Sequence, residues 1–132
     1  YLTSCILCKG QMYLPNLKLD HVAIAVSSLD PYNLNNIETI SDQGVRVGFI
    51  GNLEIISPLS EESSVSRFIK KHGSGAIHHI GFRVDDLIAS ISELKSKGIQ
   101  MIDNAPRAGA RGKKIAFLHP KSTGGTLIEL CE

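Results

Sequence analysis

Four residues in this chain are of the right type to hold a divalent cation, and they recur as two pairs. His21 opens the stretch His21-Val22-Ala23-Ile24-Ala25-Val26-Ser27-Ser28-Leu29, and His79 opens a matching one, His79-Ile80-Gly81-Phe82-Arg83-Val84-Asp85-Asp86-Leu87. Each is followed downstream by a glutamate inside an apolar strand, Leu53-Glu54-Ile55-Ile56 and Leu127-Ile128-Glu129-Leu130. A carboxylate flanked by strand-forming apolar residues is costly to bury unless a cation or a hydrogen-bond donor compensates it. One metal ion compensates both glutamates at once. Imidazole nitrogens combined with carboxylate oxygens suit a borderline or hard first-row divalent ion that keeps positions open for water or substrate.

The elements that must position these residues are clearer in the second half. Ile77 to Val84 alternates as a strand, and Asp85 is placed to cap a helix whose Leu87, Ile91 and Leu94 recur at helical spacing up to Gly98. Ile99 to Asp103 reads as a short strand, 104–113 as a hairpin loop, Lys114 to His119 and Thr126 to Cys131 as strands. The first half repeats this frame in shorter form, with strands predicted over Lys18 to Val26, Gly44 to Ile50 and Leu53 to Ser57. Leu29 to Gln43 is polar and Asn-rich with Pro31 near its start, and supports at most a short helix through Leu34, Ile37 and Ile40. Ser60 to His72 reads as a capped helix joining the halves, with Gly73 at its end. The spacing from histidine to glutamate is 33 positions in the first unit and 50 in the second. The missing helix and the lack of a long hairpin loop account for the difference.

Composition narrows the function classes. At 132 residues the chain is one domain by length, and its net charge of +1, without a Lys/Arg block, argues against a nucleic-acid partner. No run approaches the roughly 18 consecutive apolar residues of a membrane span, so a soluble protein is expected. Three cysteines, an odd number, fit a reducing compartment, and the lone Cys5/Cys8 pair is a weak metal or redox signal. Residues 1–17 are expected to form an N-terminal extension outside the domain, which then runs from 18 to 132 as modules 18–59 and 76–132 joined by helix 60–73.

With these residues in place, the chain resembles the vicinal oxygen chelate (VOC) superfamily and, within it, the methylmalonyl-CoA epimerase (racemase) family. The resemblance is carried by Asp20-His21-Val22-Ala23-Ile24-Ala25-Val26, Gln43-Gly44-Val45, Ile77-His78-His79-Ile80, Phe117-Leu118-His119-Pro120-Lys121-Ser122 and Gly125-Thr126-Leu127-Ile128-Glu129-Leu130. It implies an α+β, glyoxalase-like fold of paired βαβββ modules, the first abbreviated, curled around a metal held by His21, Glu54, His79 and Glu129. Co2+ is the ion expected, with Mn2+, Ni2+ or Zn2+ as alternatives. It also implies a cytoplasmic (bacterial) or mitochondrial-matrix enzyme, a homodimer, that interconverts the (2R) and (2S) epimers of methylmalonyl-CoA in propionate breakdown.

The chemistry follows from general principles. A proton alpha to a thioester is hard to remove, but metal at the thioester and carboxylate oxygens spreads the resulting charge as an enolate. Epimerisation then needs proton-transfer groups on both faces of the planar species. By analogy with the glyoxalase branch of the superfamily, Glu129 is nominated as a ligand that also transfers the proton on one face, with Glu54 the candidate across the site. Several bacterial members of the family carry a glutamate base three residues after the glycine of Gln-Gly-Val, where this chain has Val47. Arg107, Arg111, Lys113 and Lys121 supply positive charge suited to a CoA phosphate, and Lys121 is the one singled out for it. His78 is expected to be structural, and His119 to cap a turn.

The competing readings are a glyoxalase I-type lactoylglutathione lyase with the same donor set, a VOC protein that binds a small molecule without chemistry, and a metal-free structural dimer. An extradiol dioxygenase would use two His and one carboxylate, and Glu54 as a fourth donor counts against it.

Overall fold

The computed structural model describes Leu14 and residues 17–132; the Cys5/Cys8 pair lies outside the described residues. The first module contributes β1 (Lys18–Ala25), β2 (Glu38–Ile40), β3 (Val45–Ile50) and β4 (Leu53–Pro58). A helix α1 (Ser64–His72) leads to the second, made of β5 (Ala76–Arg83), α2 (Leu87–Ser96), β6 (Arg107–Ala108), β7 (Lys114–Leu118) and β8 (Ile128–Cys131). All eight strands form one sheet in the order β2-β3-β4-β1-β5-β8-β7-β6. Read outward from the central β1/β5 pair, each half has its first, fourth, third and second strand in turn. The duplication inferred from the two histidine stretches is therefore the symmetry of the sheet.

Both faces of the central strands are covered. Along β1, His21, Ala23 and Ala25 are buried on one face while Val22 and Ile24 are half-buried on the other, the two-residue period of a strand. Behind β5, β7 and β8, α2 packs Leu87, Ile91 and Leu94 against Val84, Leu118, Ile128 and Leu130. Leu14 is buried in this cluster and Leu17 packs against it. These two residues of the expected extension thus contribute apolar side chains to the core.

The first module covers its equivalent face without a helix. Pro31 and the left-handed Asn33 (φ 48°) leave only a 3-10 turn at Asp30–Tyr32, and the chain then extends into β2, a strand absent from the sequence reading. Val26, Leu29 and Ile55, with Tyr32 and Leu34, form the small cluster there.

Several expected boundaries move. The connecting helix starts at Ser64, capped by Ser63 Oγ accepting from Ser66 N at 3.2 Å, because residues 60–63 form a turn. Asp86, not Asp85, caps α2 by accepting from Ala89 N at 3.0 Å. Residues 99–103 make a single bridge, Met101 to Leu118, rather than a strand. The loop 104–113 contains β6 and a 3-10 turn, Ala110–Gly112, and the last strand begins at Ile128. Among the described residues no helix is long and apolar enough to cross a membrane.

Candidate metal centre and its cavity

Strand register brings the four sequence-predicted donors together. In β4-β1-β5, Glu54 lies level with Ala23 and Ala23 with His79; in β1-β5-β8, His21 lies level with Gly81 and Gly81 with Glu129. These two rows, each a histidine and a glutamate flanking a small residue, are related by the sheet symmetry. The small residue is required. A Cβ on Gly81 would sit 2.1 Å from His21 Cε1, so the ring occupies the space that any side chain at 81 would need.

All four side chains are buried: His21 is 4% exposed, Glu54 5%, His79 3% and Glu129 6%. His21 Nε2 lies 3.1 Å from His79 Nε2, 3.5 Å from Glu54 Oε1 and 3.2 Å from Glu129 Oε1. His79 Nε2 lies 3.2 Å from Glu54 Oε1 and 3.5 Å from Glu129 Oε2. Ligand bonds of about 2.0–2.2 Å place neighbouring donor atoms about 3.0–3.5 Å apart around a common ion. Glu54 Oε1 is buried with no hydrogen-bond partner, an orphaned acceptor that a cation would satisfy. The residues present fit a divalent metal.

Each histidine is oriented by the residue before it. His21 Nδ1 donates to Asp20 Oδ2 at 2.8 Å, and His79 Nδ1 meets His78 Nδ1 at 2.8 Å. Such partners turn the far nitrogen, Nε2, toward the ion. Burial alone would depress the His21 imidazole, but hydrogen bonds to Cys131, Glu129 and Asp20, with the Glu129 charge, hold it up to about 11. Burial likewise would raise Asp20, yet His21, Arg111 and Lys113 outweigh it and keep the carboxyl below its ordinary range. Burial and then the adjacent His79 push His78 down to about 4, which keeps it a neutral partner. Its ring also meets Phe68 of α1 edge-on, at 4.8 Å between centroids.

The four donors lie in a cavity of about 520 Å³ lined by residues of all eight strands, from Ile40 on β2 to Arg107 on β6, so the sheet curls around it. Ile56, Val65, Phe68, Ile115 and Phe117 supply apolar wall, and Arg67, Lys71, Arg107, Arg111 and Lys113 supply cations. Lys121 is not among the lining residues. It is exposed on the 3-10 turn Pro120–Ser122, where its backbone N donates to His119 Nδ1 at 3.1 Å, so His119 does cap a turn. Val47 is 2% exposed and packs with Ile40, Val45 and Ile56.

Comparison with known proteins places this architecture. Residues 39–117 match the Glyoxalase/Bleomycin resistance protein/Dioxygenase superfamily. The chain belongs to that superfamily. Within it, the chain is 38% identical to the mitochondrial methylmalonyl-CoA epimerase of Dictyostelium discoideum, over 87% of this chain and 78% of that protein. The crystal structure of methylmalonyl-CoA epimerase from Mycobacterium tuberculosis superposes with a TM-score of 0.83 at 34% identity, covering 93% of each chain. A methylmalonyl-CoA epimerase solved in complex with methylmalonyl-CoA and NH4+ superposes with a TM-score of 0.80 at 31% identity, covering 86% of this chain and 92% of that one. The glyoxalase-like fold of paired modules is thus shared with epimerases along nearly the whole described chain.

Cys131, the only cysteine that the sequence puts near any of the four and one given no ligand role there, lies with Asp20 and His21 in a group whose donor atoms are within 4.8 Å of one another; its spacing of two from Glu129 on a strand sets it on the same face. Sequence reasoning missed two neighbours of the centre, Asp20 and Phe49. Asp20 was visible as the residue preceding a histidine. Phe49, whose ring lies 6.2 Å from that of His21, had no signal of its own.

Proposed function

We propose that this protein is a divalent-metal-dependent epimerase that interconverts (2R)- and (2S)-methylmalonyl-CoA. The observation that carries the reading is the convergence of two imidazoles and two carboxylates, with Glu54 Oε1 buried without a hydrogen-bond partner, at a cavity in a chain aligned with methylmalonyl-CoA epimerases. A divalent ion held by His21, Glu54, His79 and Glu129 supplies Lewis-acid stabilisation of the negative charge that develops on the substrate when the C2 proton leaves. Co2+ is the ion we assign, with Mn2+, Ni2+ and Zn2+ compatible with the same donors.

The remaining work falls to the chain's own side chains. Glu54 and Glu129 reach the centre from β4 and β8, on opposite sides of the β1/β5 pair. That placement suits one carboxylate taking the C2 proton from one face while the other returns a proton to the opposite face. Ile56, Val65, Phe68 and Phe117 exclude water from the exposed C2 position. Arg67, Lys71 and Lys113 provide charge for the CoA phosphates nearer the cavity than Lys121, which is left to contact a distal part of the cofactor. We assign the protein a role in propionate breakdown and a homodimeric active form; the mitochondrial and bacterial relatives are consistent with a place in the mitochondrial matrix or the bacterial cytoplasm.

The test is exchange of the C2 proton of both methylmalonyl-CoA epimers in deuterated water, with Co2+ supplied and then chelated. Metal-dependent deuterium incorporation together with epimerisation is the expected result. Absence of exchange by protein that retains bound metal would overturn the proposal, and turnover of a glutathione hemithioacetal instead would make the protein a glyoxalase I-type lyase.

A further inference from the structure

The geometry points to Arg111 as a positioning residue that fixes the His21 imidazole through Asp20, so that a loop of the second module sets the metal-binding geometry of the first. This inference rests on the metal reading of His21, Glu54, His79 and Glu129.

Arg111 lies on the 3-10 turn Ala110–Gly112 between β6 and β7, yet its contacts are with three strands of the other module. Its Nη2 donates to Asp20 Oδ2 on β1 at 2.9 Å. Its backbone N donates to Glu38 Oε1 on β2 at 2.9 Å. Its guanidinium stacks over Phe49 of β3, 4.0 Å from the ring centroid. The residue adopts the left-handed conformation (φ 58°, ψ 32°), unfavourable for a side chain with a Cβ and held here by these contacts.

Asp20 Oδ2 is shared. The same oxygen that accepts from Arg111 accepts from His21 Nδ1 at 2.8 Å. A carboxylate with one donor can rotate about its terminal torsion, whereas a second donor of fixed, planar geometry pins it. With Asp20 pinned, His21 keeps its proton on Nδ1 and directs Nε2 at the centre. Phe49, on which the guanidinium rests, meets the His21 ring edge-on, so the same residue also braces the ring.

The experiment is a spectrophotometric Co2+ titration of the full chain, with turnover measured separately, on wild type, Arg111→Met, Arg111→Lys, Asp20→Asn and the Arg111→Met/Asp20→Asn pair. Asp20→Asn is expected to weaken Co2+ binding about 10–100-fold, as loss of an outer-shell partner does. Arg111→Met is expected to weaken it roughly fivefold or more with Asp20 present and less than about twofold with Asn at 20, the non-additivity of two residues acting in series. Arg111→Lys, which keeps the charge without the planar fork, should fall between wild type and Arg111→Met and shift the Co2+ absorption band. Co2+ affinity of Arg111→Met within twofold of wild type would overturn the proposal, as would equal losses in the two backgrounds. If Arg111→Met does not fold, an unchanged affinity and spectrum in Arg111→Lys overturns it equally. Failure of the wild-type protein to bind Co2+ would be a different result, removing the metal reading itself.

Discussion

At the scale of single residues, the centre depends on what is small as much as on what ligates. Gly81 leaves its space to the His21 ring, and Gly81→Ala would put a methyl 2.1 Å from Cε1. The ring must swing away. We expect Co2+ affinity to fall by about tenfold or more, the order seen when ligand orientation is lost, with the far-UV circular dichroism spectrum unchanged; a Co2+ titration of the variant checks this. Protonation follows from the same geometry. With its pKa held up to about 11, His21 carries a second proton, on Nε2, at neutral pH unless a cation displaces it. Metal binding requires the neutral imidazole, so it should release about one proton, and affinity should rise as pH rises, about tenfold per pH unit near neutrality. Calorimetry in buffers of different ionisation enthalpy counts the proton, and an affinity independent of pH would refute the assignment.

At the scale of elements, stability and chemistry are carried on opposite faces of the sheet. Leu94 of α2 is fully buried, and its cluster contains none of the four donors. Leu94→Ala should therefore cost about 2–5 kcal/mol in urea unfolding while leaving Co2+ affinity within twofold. Asp86→Ala, which removes the α2 cap, should cost about 1 kcal/mol by the same measurement. On the first module a 3-10 turn and the side chains of Tyr32 and Leu34 do what α2 does on the second. This cover lies against β1 and β4, the strands that carry His21 and Glu54, so the centre survives loss of the helix because the strands beneath it are kept.

At the scale of the whole molecule, each module supplies one histidine and one glutamate, and neither holds the set alone. An ion bound to all four ties the two halves across the β1/β5 pairing. Binding to the folded state alone stabilises by mass action, by about 4 kcal/mol at a thousandfold excess over Kd. Co2+ should therefore raise the melting temperature and a chelator should lower it. His79→Ala should abolish the Co2+ shift, and a shift that persists in that variant would show that the ion binds elsewhere.

What the sequence by itself determined was the set of chemically capable residues and the periodic elements that carry them. The residues that converge, His21, Glu54, His79 and Glu129, were legible because charged or titratable residues inside apolar strands need compensation, and because they repeat. Helix α2 was legible because Leu87, Ile91 and Leu94 share one helical face. Strand β2 was not, since three residues beside Asn-rich chain carry too little pattern, and β2 exists by pairing Glu38, Thr39 and Ile40 with β3. Tertiary structure alone decided the register that sets His21 level with Gly81 and Glu129, because strand pairing between distant segments is fixed by packing rather than by local preference. It also decided that Arg111, 91 residues from Asp20, shares that carboxylate with His21, and that Lys121 stands outside the cavity. Contacts between residues far apart in sequence leave no periodic trace, and those contacts turn four donors into one site.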